Sequence, residues 1–273
     1  PEIGETRMAT QETATVKKET GNVTTIKDNL PSASLFEADA QEGFQNMDQN
    51  DLALPFLRIL GQLSPQVNKR DAKYVNGAEP GMIYNTVTSE LYDGEKGINV
   101  IPCYYKREYV EWQDRGEGAG APVAVHAATS AIVQEATRDS MGKDRLKNGN
   151  YLENTASYFV IISKDNGAET ALLTMKSTQL KVSRTWNSMM NGLKLQGKNG
   201  LFTPPIYSHV YNLKTVQQSN DKGTWFGWTI SKVGPVKDRG LYEQAKGFAT
   251  SVKSGDVQAK HVKDERNEEN TPF

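Results

Sequence analysis

The sequence predicts a mainly β fold with one main helix, arranged as an OB-fold-like, five-stranded Greek-key barrel with insertions and disordered termini. Three observations predict it. Five β-prone runs follow one another at 98–112, 157–163, 169–175, 205–216 and 224–233. One helical pattern, Ser177 to Leu195, falls between the third and fourth runs, where that barrel carries its helix. Turn chemistry separates the paired runs, at Asp165-Asn166-Gly167 and at Ser219-Asn220-Asp221-Lys222-Gly223.

Taken in order, residues 1–34 are rich in Thr, Glu, Lys, Asn and Ser without apolar periodicity, and read as disordered. Met8, seven residues in, marks Pro1–Arg7 as a candidate tag remnant or over-extended start. Leu35 to Pro55 carries five acidic residues and no basic one, together with Leu35, Phe36, Phe44, Leu52 and Leu54. Such a segment can dock in trans or fold back on a basic face. The ordered domain is expected to begin near the apolar stretch Leu52–Leu63, where Pro55 opposes a regular helix. Met82–Thr88 is a strand candidate after the Pro80-Gly81 turn. Ile98–Trp112 is long, β-prone and aromatic, and Pro102 predicts an edge position or a bulge within it. Gly116–Pro122 reads as a flexible connection, Ala131–Thr137 as strand or short helix, and 139–150 as an exposed loop. In the helix, Ser177 is the expected N-cap, with Leu180, Trp186, Met189, Met190 and Leu193 on one side. After Val236 the β pattern is lost; Leu241–Ala249 is a short-helix candidate. The expected organisation is an acidic disordered segment at 1–50, a domain at 51–237, and a flexible acidic tail at 238–273.

Charge is distributed unevenly. Residues 151–237 hold 10 Lys/Arg against 4 Asp/Glu, a net of +6, while residues 1–150 hold 16 against 22, a net of −6. A basic block between acidic flanks suits a polyanionic partner, with tails that compete for the same surface. No apolar run approaches a transmembrane length, so no membrane partner is expected. The single cysteine, Cys103, lies in an apolar run and reads as a core residue; alone it allows no intrachain disulfide. His126, His209 and His261 are scattered and offer no zinc spacing, and no hydrolase or metalloprotease motif occurs. Gly192–Asn199 approaches a P-loop, but Asn199 stands where a Mg²⁺-holding hydroxyl belongs and the glycines end a helix. Neither catalysis nor a cofactor is expected.

Aromatic and basic residues interleave instead. Tyr105, Lys106 and Arg107 lie on the first run; Tyr207, Tyr211 and Lys214 on the fourth; Lys222 and Trp225 at the last turn and strand. Lys176, Lys181, Arg184, Lys194 and Lys198 mark the helix and the glycine-rich stretch after it. Tyr207 and Tyr211 are expected to share a strand face. Exposed rings beside cations suit single-stranded nucleic acid, whose bases stack at about 1–3 kcal/mol each while Lys and Arg neutralise phosphates. Rings packed simply as barrel core are the competing reading of the same residues.

The C-terminal Asn267-Glu-Glu-Asn-Thr-Pro-Phe273 resembles the acidic tip of bacterial single-stranded DNA-binding proteins. The body resembles tailed-phage proteins similar to single-stranded DNA-binding proteins of OB-fold type, on Met175-Lys-Ser-Thr-Gln-Leu180, Ser183-Arg-Thr-Trp-Asn187, Leu201-Phe-Thr-Pro-Pro205, Ser219-Asn-Asp-Lys-Gly223 and Gly227-Trp228. The resemblance implies a non-enzymatic protein that coats single-stranded DNA during phage replication or recombination, in the host cytoplasm. Glu268, Glu269, Pro272 and Phe273 would recruit a phage DNA polymerase, helicase or nuclease. A homo-oligomer is compatible with this reading. The alternatives are a structural or assembly protein of the virion, or a strand-annealing recombination mediator.

Overall fold

The computed structural model describes residues 33–47, 51–114, 116, 120–164, 167–221 and 223–262. The chain divides into two compact units, Pro1–Ala40 and Gln41–Phe273. Of the first unit the exposed helix α1 (Ala33–Ala38) is described.

The second unit is organised on one large sheet. Its strands are β1 (Phe56–Ile59), β2 (Ile83–Asn85), β3 (Leu91–Tyr92), β4 (Ile98–Trp112), β5 (Ala124–Ala127), β6 (Thr137–Arg138), β7 (Asp144–Arg145), β8 (Tyr151–Lys164) and β9 (Gly167–Lys176). The short helix α2 (Ala131–Gln134) stands between β5 and β6. After β9 come a 3-10 turn (Ser177–Gln179), helix α3 (Leu180–Asn191), a separate hairpin β10–β11 (Leu195–Gly197, Gly200–Phe202), β12 (His209–Asn220), β13 (Gly223–Pro235) and helix α4 (Arg239–Ser254). The main order across the sheet is β13-β12-β4-β8-β9-β1-β2-β3.

The central strands β4 and β8 are the two longest, with 15 and 14 residues. β4 and β8 pair antiparallel from Val100↔Ile162 to Trp112↔Tyr151. The register shifts between Pro102 and Tyr104, because proline has no amide to give to the ladder. β8 is buried without a break from Thr155 to Ile162, which requires cover on both faces. Tyr158, Val160 and Ile162 pack on the side of α3, with Trp186 and Met190. Phe159 and Ile161 pack on the other side, with Ala245, Phe248, Ala249 and Val252 of α4. Strand alternation thus feeds two cores from one run of residues.

Three local expectations are corrected here. Ser177 is not the cap of a regular helix: it opens the 3-10 turn at φ 46°, and Gln179 stands at the N-cap of α3. The short helix expected at Leu241–Ala249 is present and longer, as the 16-residue α4. Asp238 caps it by accepting from the Leu241 amide, Gly255 ends it at φ 92°, and its apolar face is buried on the sheet. The stretch 139–150, expected as an exposed loop, contains β7, which pairs with β6 and β8. β5 folds back on β4, and the Arg145 guanidinium bridges Asp114 at 2.7 Å and Asp139 at 2.9 Å.

The five-stranded Greek-key barrel is corrected as well. The five expected strands exist, as β4, β8, β9, β12 and β13, and a closed barrel would need β13 to pair with β9. The outer edge of β9 is already taken by β1, in parallel, with Phe56↔Leu172 and Leu57↔Leu173. On β13, the Trp228 amide donates to the Gln179 side-chain oxygen at 2.8 Å. Gly227 lets Gln179 come this close, since a Cβ there would collide with its amide. The sheet is therefore an open, strongly curled half-barrel, turning through 267° with 13 Å between its edges. The far part of β12 is held by the chain before β4: the Thr215 amide donates to the Gly94 carbonyl at 2.9 Å, and its hydroxyl donates to the Gly81 carbonyl.

Candidate functional site

Three of the four rings proposed as a stacking platform, Tyr105, Tyr207 and Tyr211, pack in the cores. Tyr105 lies against Tyr158 with centroids 5.0 Å apart, Tyr158 stacks on Trp186 at 4.4 Å, and Trp186 meets Tyr211 edge-on at 5.7 Å. This aromatic ladder is the centre of the α3-side core, and Tyr211 is fully buried within it. Tyr207 does not share a face with Tyr211. It stands in a 3-10 turn before β12 and packs on Tyr242 of α4, 5.4 Å away, on the other side of the sheet. Trp225 is half-buried on β13.

Several of the proposed cations are already engaged. Lys106 pairs with Glu108 at 3.3 Å, and Lys176 with Glu153 at 2.7 Å. Arg107 donates to the Tyr109 hydroxyl at 2.8 Å and to Asn154 at 3.2 Å. Lys181, Arg184, Lys194, Lys198 and Lys214 are exposed, and Lys194 donates to the Thr203 hydroxyl. Lys222, Glu268, Glu269, Pro272 and Phe273 lie outside the described residues. Tyr105 and Tyr211 pack on one face of the sheet and Tyr207 on the other.

What the fold does bring together is an arm. The outer side of α3 exposes Lys181, Arg184 and Thr185. Gly192 closes the helix, and the chain then projects the β10–β11 hairpin, which forms its own two-stranded sheet. Leu195 faces Phe202 across the hairpin, and Gln196 faces Leu201. Leu195 is 39% exposed, Leu201 71% and Phe202 46%. The Phe202 ring lies over Gly197, and Lys198 occupies the exposed tip. Strand alternation puts Leu195 and Phe202 on one face of the hairpin and Leu201 on the other, so each face leaves apolar side chains uncovered. The sequence signal for the hairpin was the two-residue turn Lys198-Asn199 between glycines, flanked by apolar residues on both sides.

Two polar clusters brace the long strand β4. Glu111, buried at 3% exposure, accepts from His126 Nε2 at 2.7 Å and from the side-chain amides of Asn148 and Asn150. Burial alone would raise its carboxyl, but the bonds from Asn150, Asn148 and His126 outweigh it and hold the group below the usual range. Glu108 is lowered chiefly by its bond to His261, against burial and with help from Lys106. Both clusters consume their carboxylates in holding segments together, β5 and the β7–β8 turn at Glu111, the residues after α4 at Glu108. Cys103 is buried in the α4-side core, and burial pushes its thiol up to about 12, against a backbone hydrogen bond from Ile161. Among the described residues no group of three or more His, Cys, Asp or Glu could hold a metal ion. No described helix is long and apolar enough to cross a membrane.

Comparison with known proteins agrees with the geometry against the DNA-binding expectation. No curated protein and no solved structure matches the chain. One family model does, over residues 22–258, and its description is Pam3 phage gp34-like protein. The resemblance to single-stranded DNA-binding proteins of OB-fold type is thereby overturned: the matching family is another one, the sheet is open, and three of the four proposed rings pack in the cores. With most of its length matched, this chain belongs to the family of Pam3 phage gp34-like proteins.

Proposed function

We propose that this protein is a structural or assembly component of a phage particle. The observation that carries the reading is the family match across residues 22–258, to a family described by a phage protein. The surface supports it. The protein spends its polar clusters on bracing β4 and leaves an apolar, cationic arm uncovered at 195–202. A component of an assembly works by presenting such faces to neighbours, without chemistry of its own. In this reading it is made in the host cytoplasm and acts as a protein-binding, non-catalytic element.

Quantitative mass spectrometry of purified particles and of assembly intermediates tests the proposal. The expected result is the protein in fixed stoichiometry with the major structural proteins of one of these fractions. Its absence from both, with abundant free protein in the lysate, would overturn the reading.

A further inference from the structure

The arm has no cover within the described structure, and another stretch of the same sequence complements it. Between Thr170 and Asn220 the chain has six Lys/Arg and no Asp/Glu. The arm and the outer side of α3 belong to this block, with Arg184 exposed on α3 and Lys198 exposed at the tip of the arm. The stretch 35–47 has the opposite charge and the same apolar character. It carries Glu37, Asp39 and Glu42 with no basic residue. Its large side chains are uncovered too: Leu35 is 54% exposed, Phe36 51%, Phe44 56% and Met47 46%.

We infer that residues 35–47 of one copy dock on the α3 edge and β10–β11 arm of a second copy. Apolar burial supplies the attraction, and the acid-to-base pairing selects the partner and the orientation. The donor surface differs from the acceptor surface, so the contact is heterologous. Repeated along successive copies it propagates into a ring or a filament, and exchanged reciprocally between two copies it closes a dimer. The inference rests on the assembly reading only for its purpose; the contact is tested in purified protein, and presence in particles is tested separately.

The test uses the full chain in sedimentation velocity at low salt, up to about 100 μM protein. Wild type is expected to self-associate with rising concentration, into a dimer or a longer series, and raising salt to about 0.5 M should weaken the association. The acceptor variant L201S/F202S and the donor variant F36S/F44S should each be monomeric, with unchanged far-ultraviolet circular dichroism. Mixed, they should form a species that stops at two copies, because each supplies the half that the other lacks. Should the acceptor variant misfold, R184E/K198E replaces it, with at least about tenfold weaker association expected. E37K/E42K in the partner should then restore pairing. A wild type that stays monomeric, or single variants that associate like wild type, or a mixture that fails to pair, would each overturn the inference.

Discussion

Residue by residue, the side chains richest in chemistry are the ones most fully used by the fold. Tyr158 is the clearest. Its hydroxyl donates to the Ser183 carbonyl at 3.0 Å and lies 2.7 Å from the Ser183 hydroxyl and 2.9 Å from Asn187 Oδ1, tying β8 to α3 from inside the core. Tyr158→Phe keeps the ring stack on Trp186 but strands those partners, and should cost about 1–2 kcal/mol. Urea unfolding should show a lower midpoint with an unchanged slope. Glu111 makes a pH prediction. Its folded-state carboxyl lies below the unfolded value of about 4.3, so its contribution is complete above that pH and is lost as pH falls through the depressed value. Glu108 acts in the same direction. Glu111→Gln should be less stable at neutral pH, and its stability should fall less steeply than that of wild type below about pH 4. Equal acid slopes in the two proteins would show that Glu111 is not a linked group.

At the scale of elements, two helices decide the form of the sheet. α4 covers the face of β4, β8 and β9 that α3 does not reach, through Phe248 against Phe159 with ring centroids 6.3 Å apart. Phe248→Ala should cost about 3–5 kcal/mol, measured by denaturant unfolding. A chain ended at Lys237 should expose that core and bind a hydrophobic dye. The turn before α3 matters by a different route. Gln179 satisfies the Trp228 amide on the inner rim of β13. Gln179→Ala should cost about 1–2 kcal/mol and speed hydrogen exchange at Trp228 and its neighbours, while leaving β4 and β8 protected. These elements were unevenly legible. Ile98–Trp112 reads as one strand to the residue, because β-prone residues continue on both sides of Pro102. α4 was legible only over Leu241–Ala249, because Gly240 and Gly247 and its many polar residues weaken the pattern. The arm was not legible as a site. Three-residue strands after a helix look like a glycine-rich loop until their exposure is known.

For the second unit as a whole, one sheet shared by two cores predicts shared unfolding. Tyr158 and Phe159 are adjacent residues serving opposite cores, so neither core can melt without disturbing β8. Near- and far-ultraviolet circular dichroism should therefore give coincident urea transitions. Transitions that separate would mean that α4 and its core open independently. The same arrangement explains why function was harder to read than fold. The aromatic–basic interleaving was visible in the sequence, but interleaving along a chain does not say which ring faces inward. Only the two-sided cover of the sheet assigns Tyr105 and Tyr211 to one core and Tyr207 to the edge of the other.

By itself the sequence determined the five long strands, their turns, the helix between the third and fourth, the concentration of positive charge in the central block, and the acidic, apolar stretch that precedes the sheet. Those are local properties, set by residue period, turn chemistry and composition. Tertiary structure decided that the barrel stays open, that α4 belongs to the body of the second unit, and that the uncovered apolar surface lies on a small hairpin. The physical reason is that an edge of a sheet is closed by whichever backbone reaches it first. Here β1 reaches β9, and a single glutamine side chain reaches β13, and neither encounter is written in the pattern of any one segment.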